Sequence, residues 1–91
     1  MELLELYSDV TGNMGKIFSS PYNVRRYLTG IFKKMYPNDQ IKIHGPKETE
    51  DAEEYTVDVL RDIGGSSPIL IESDEYFTRT VILNDFEGLE E

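Results

Sequence analysis

Ser20, His44 and the acidic run Glu50, Asp51, Glu53 and Glu54 are the side chains of this 91-residue sequence whose types invite a chemical reading. A serine nucleophile needs a general base within hydrogen-bond reach, itself held by a third group. The one histidine, His44, sits on a short alternating segment with no sequence link to Ser20. Ser20 instead directly precedes a helical pattern, where a hydroxyl caps the free backbone amides. One histidine and scattered carboxylates make no metal-ligand set at a diagnostic spacing, and the acidic run reads as a solvated face. Gly12-Asn13-Met14-Gly15 lacks the lysine of a phosphate-binding loop. Arg25, Arg26, Lys33 and Lys34 read first as a polar outer stripe and second as an anion site. The absence of cysteine removes disulfides, thiolate metal sites and thiol chemistry together.

These residues need elements to position them. Glu2 to Ser8 alternates, with Leu4 and Leu6 on one face and Leu3, Glu5 and Tyr7 on the other, and is expected to be a strand. The glycine-bearing stretch 9–20 has no steady period and is expected to be a long working loop. Ser20 as cap, Pro21 at the first helical position and Val24, Leu28, Ile31 and Met35 at helical spacing predict a helix ended by Pro37. Gly30 inside it should cost about 1 kcal/mol relative to alanine, a cost that packing against a neighbour would explain. Ile41 and Ile43 alternate with Lys42 and His44 as an edge strand before Gly45-Pro46. Thr49 is expected to cap a second helix with Ala52, Thr56, Val59, Leu60 and Ile63 inward and Gly64-Gly65 as its stop. Pro68 to Ile71 and Phe77 to Leu83 are expected as two further strands joined by "SDEY" as a hairpin. The tail "NDFEGLEE" has length for a stub of helix.

Size and charge bound the rest. Ninety-one residues with 38% hydrophobic content suit a single domain, 1–91. No apolar run is long enough for a membrane span, and "MELLELYSDV" has acids where a signal peptide has lysines, so a cytoplasmic protein without a membrane role is expected. The net charge is −9. Residues 1–47 carry seven bases against four acids, and residues 48–91 carry fourteen acids against Arg61 and Arg79. Such polarity steers association with charged partners and argues against direct nucleic-acid binding.

The order β-α-β-α-β-β with "SPYN" at the start of the first helix resembles the glutaredoxins of the thioredoxin-like superfamily, whose motif there is C-P-Y-C. Ser67-Pro68 before the third expected strand resembles the cis-proline segment of that superfamily, and Asn84 to Leu89 resembles the segment opening its last helix. The resemblance implies an α/β, thioredoxin-like domain with a four-stranded mixed sheet and a short or missing C-terminal helix. In it strand one would be central, so Glu5 would face a helix layer and need an uncovered patch, water or a basic partner; the same patch would suit a homodimer.

With Ser20 and Asn23 at the two cysteine positions, thiol–disulfide exchange is lost, since an alcohol neither ionises like a thiol nor forms a disulfide. The resemblance therefore implies a redox-inactive, non-enzymatic module that binds another protein, a basic one by charge. Its surface would join Lys16, Ser20, Pro21, Tyr22, Asn23, Ser67, Pro68 and Asp85. No cofactor is expected. Two alternatives stand beside this: glutathione or a thiol peptide held at the same residues without turnover, and an acidic mimic of nucleic acid filling a basic cleft.

Overall fold

The computed structural model describes residues 2–8, 12–65 and 67–82, the side chains of 2, 13 and 82 excepted. Five strands and one helix follow in the order β1 (Glu2–Ser8), β2 (Gly12–Phe18), α1 (Pro21–Met35), β3 (Gln40–Glu48), β4 (Glu53–Arg61) and β5 (Ile69–Ile82). They make one sheet of order β2-β1-β5-β4-β3, every pair antiparallel. This overturns the thioredoxin-like expectation. That fold needs parallel neighbours joined by helical crossovers, and here one helix carries the chain from one edge strand, β2, to the other, β3.

The helix forms where its local signals put it. Ser20 is extended and its hydroxyl accepts from the Asn23 amide at 3.3 Å, with Pro21 opening the first turn. The inward stripe is Val24, Leu28 and Phe32, all fully buried, whereas Met35, expected on that stripe, is 58% exposed. On the sheet the stripe meets Leu6, Phe18, Tyr55, Val57 and Val59, with Ile41, Ile43, Ile71 and Tyr76 around them. Phe32 stands edge-on to Tyr76 at 6.0 Å between ring centroids. The alternation of strand β1 holds: Leu6 joins this core, and Leu3 and Glu5 are buried on the opposite face.

The expected second helix is a turn and a strand. Tyr55, Val57 and Val59 are fully buried at period two and outrank the helical spacing of Ala52, Thr56, Val59, Leu60 and Ile63. The hydroxyl of Thr49 does accept from the amide of Ala52, the bond of a helix cap, but it closes the turn between β3 and β4. Gly12 to Phe18, expected within a loop, is an edge strand on β1. The two strands expected at Pro68–Ile71 and Phe77–Leu83 are one continuous strand of 14 residues, so "SDEY" is no hairpin. The expected C-terminal stub falls outside the described residues.

Glu5 does not face the helix. Its buried carboxylate receives a 2.6 Å hydrogen bond from Arg79 Nε on β5, and that guanidinium lies 5.6 Å from the centre of the Tyr7 ring. Ring stacking of Tyr7 on Phe77 at 5.6 Å continues the same face.

Two glycines carry opposite lessons. Gly45 has φ of +111°, and a Cβ there would stand 2.5 Å from the Glu54 carbonyl oxygen across the irregular β3–β4 register. Gly45→Ala should therefore cost about 2 kcal/mol, read as a lowered denaturation midpoint at unchanged slope. Gly30, by contrast, has no atom of the described residues within 4 Å of an added Cβ, so packing against them does not explain it.

Candidate functional site

Helix α1 sorts the expected site residues into two groups. Fifteen residues at 1.5 Å each make it about 22 Å long. Near its start, Arg25 donates to the Gly45 carbonyl; at its end, Tyr36 donates to Glu72 Oε1 at 2.5 Å. Because Leu60 pairs with both Gln40 and Leu70, the segment before β5 lies at the C-terminal end of the helix. Ser67 and Pro68 are thus at one end of α1, and Ser20, Pro21, Tyr22, Asn23 and Lys16 at the other. The continuous surface expected from both is not formed. The cis peptide bond among the described residues is Gly45-Pro46. Asp85 lies outside the described residues.

At the start of the helix, each residue has a local role. Ser20 caps, the Asn23 amide side chain donates to Ser19 Oγ at 3.1 Å, and Tyr22 is 68% exposed with the Arg26 guanidinium 5.7 Å from its ring centre. Lys16 on β2 lies 6.0 Å from the ring centre of Tyr27. Among the described residues no general base reaches Ser20, whose hydroxyl serves the helix cap. A serine, an aspartate and the histidine do meet elsewhere: Asp58 Oδ1 accepts from Ser73 Oγ at 2.7 Å, and Asp58 Oδ2 lies 2.9 Å from His44 Nε2. The carboxylate stands between the other two, so the imidazole cannot take the serine proton, and the set ties three strands together without making a nucleophile.

The opposite end of α1 is chemically denser. Asp39 is buried and takes two hydrogen bonds from Arg61, which hold its carboxyl below the usual range. Beside them Glu72 and Asp74 alternate onto the helix side of β5. The hydrogen bond they share, then burial, then repulsion raise Asp74 to about 6, while the same bond and the one from Tyr36 lower Glu72. The pair holds one proton between them under mildly acidic conditions.

This fixes a pH dependence. Folding raises Asp74 above its ordinary 3.8, so its stabilising contribution is full below that value and is lost as pH climbs through about 6. Glu72 has the opposite sign, since its lowered value favours folding above 4.5. Asp74→Asn removes the loss on the alkaline side. Thermal melts should show this variant above the parent at pH 7.5 and close to it at pH 5; an unchanged difference would show that the shared proton has no bearing on stability.

From this same end runs an open strand edge that the sequence reading missed. Strand β4 pairs with β5 from Ile69 to Thr78, whereas β1 pairs with it only from Phe77 to Ile82. From Ile69 to Asp74 the second edge of β5 has no partner strand among the described residues. Ile69 and Leu70 are 45% and 57% exposed there, Ile63 in the preceding loop 56%, and Met35 stands at the adjacent helix end. Of the five exposed large hydrophobic side chains among the described residues, only Tyr22 lies elsewhere. The sequence signal was the run from Ile69 with no glycine, proline or asparagine in it, read as two strands because Ser73-Asp74 resembles a turn.

No group of three or more histidine, cysteine or acidic side chains among the described residues is placed to hold a metal, and no helix there is long and apolar enough to cross a membrane. Comparison with protein-family models, curated proteins and solved structures gives no match, so a function for this chain is argued from its own geometry.

Proposed function

We propose that the chain is a protein-binding module that takes an extended segment of a partner as a sixth strand along Ile69–Asp74. The open edge of β5 carries this reading. An unpaired row of strand amides and carbonyls is a template for another strand. Among the described residues this edge bears Ile69, Leu70 and Ile71, followed by Glu72 and Asp74; Pro68 precedes it and the register on β4 shifts at Ile71, so the added strand pairs most regularly from Glu72 to Asp74 and meets the apolar side chains beyond.

Those acids define the partner. An added strand with apolar residues opposite Ile69–Ile71 and lysine or arginine opposite Glu72–Asp74 would bury the first and pair the second. A second copy of this chain fits worse, because each copy has a net charge of −9. The reading keeps the binding role and the basic partner expected from the sequence, and places the surface next to Ser67 and Pro68. It does not use the Ser20 end or a thiol ligand.

Selection from a random peptide library tests it. Peptides alternating apolar and basic residues should be enriched and should slow hydrogen exchange at amides within 69–74. Enriched peptides that protect other amides would overturn the proposal, as would a concentration-dependent dimer that protects this edge without peptide.

A further inference from the structure

The outward face of α1 carries four cations, Arg25, Arg26, Lys33 and Lys34, in a chain where acids outnumber bases eighteen to nine. None of the four forms an ion pair with a carboxylate among the described residues. Arg25 and Lys33 spend hydrogen bonds on the carbonyls of Gly45 and Asp39, and Lys33 acts only through space on the Asp39 carboxylate, which Arg61 already holds. By contrast, Arg61 and Arg79 both hold carboxylates.

Helix stability does not require this arrangement. Lys33 and Lys34 suit the negative end of the helix, but the first turn holds no acid, and Arg25 and Arg26 follow it directly. Between the two cation pairs lies Gly30, the poorest helix former short of proline, with open space where its side chain would be. It lines a shallow depression with Tyr22, Arg25, Arg26 and Thr29, and the Arg26 guanidinium lies 5.7 Å from the ring centre of Tyr22. A missing Cβ lets another backbone come close.

We infer that this face is a second binding surface, for an acidic helical segment of a partner protein lying across Gly30 with carboxylates on Arg25–Arg26 and Lys33–Lys34. The cation pairs are eight residues apart, about 12 Å along the axis, so the segment needs acidic pairs about two helical turns apart and a small residue between them. Nucleic acid is the poorer occupant. A duplex carries a charge every 1.7 Å or so and extends beyond a single helix face, and the rest of this chain would repel it.

The probe is a synthetic helical peptide with two Glu-Asp pairs seven residues apart across an alanine, titrated into the full chain and followed by amide chemical shifts. Shifts at Tyr22, Arg26, Gly30 and Lys33 are expected, with affinity at least fivefold weaker for Arg26→Ala. Gly30→Ala gives the sharper result: it should raise the melting temperature yet weaken the peptide, separating a notch for a partner from a merely tolerated glycine. Equal binding of a peptide with the same residues scrambled would overturn the inference, as would tighter binding of single-stranded DNA or no shift at millimolar peptide.

Discussion

Phe32→Ala is expected to cost about 3–5 kcal/mol, the largest loss from any single truncation on the helix side of the helix–sheet contact. Phe32 is fully buried and stands against Tyr36 and Tyr76. Its neighbours across the interface, Tyr55, Val57 and Val59, belong to a strand hydrogen-bonded on both sides, so they cannot collapse into the space left behind. A small domain has a total stability of about 5–15 kcal/mol, so a cavity here removes a large share of it. Urea denaturation followed by far-UV circular dichroism measures this. Met35→Ala, three residues along but 58% exposed, should stay within about 0.5 kcal/mol of the parent. Equal losses for the two would mean that the helix does not sit on the sheet through Phe32.

The contrast between those two residues shows what the sequence could and could not disclose. Helix α1 was legible because its signals are local: a capping serine, a first-turn proline, and a stop at Tyr36-Pro37. Its rotation was less so, for Phe32 and Met35 both fit a helical stripe and only the sheet decides between them. Strand β1 was legible from alternation alone. At Glu53–Arg61 two patterns coexist, and the deciding facts are non-local: Tyr55 lies opposite Tyr76, Val57 opposite Asp74 and Val59 opposite Glu72, each partner more than ten residues further along the chain. Misreading that strand as a helix supplied the second crossover, and with it the resemblance to a thioredoxin-like order. The "SPYN" segment was correctly placed at a helix start, which any capped helix shares. The length of β5 had a sequence signal in its unbroken run, but its open edge had none, since that edge rests on β1 pairing no further along β5 than Phe77 among the described residues.

Leu70→Lys is expected to weaken an apolar and basic partner strand at least tenfold while leaving the fold intact. The side chain is 57% exposed, so lysine there is solvated and folding stability should change by no more than about 0.5 kcal/mol. Binding suffers twice: the apolar contact is lost, about 1–2 kcal/mol for a side chain of this size, and a cation is set against a basic segment and the strand edge. Asp74→Lys should act differently. It also removes an attractive carboxylate, so its effect should shrink as salt rises and screens the charge, whereas the apolar part of the Leu70 effect should persist. Isothermal titration of a selected peptide at low and high salt, with unfolding measured on the same samples, separates the two contributions. If both variants bind like the parent while remaining folded, the edge from Ile69 to Asp74 is not where the partner adds its strand. If Leu70→Lys alone fails, the apolar half of the edge holds the segment, and the acids set its register instead of its affinity.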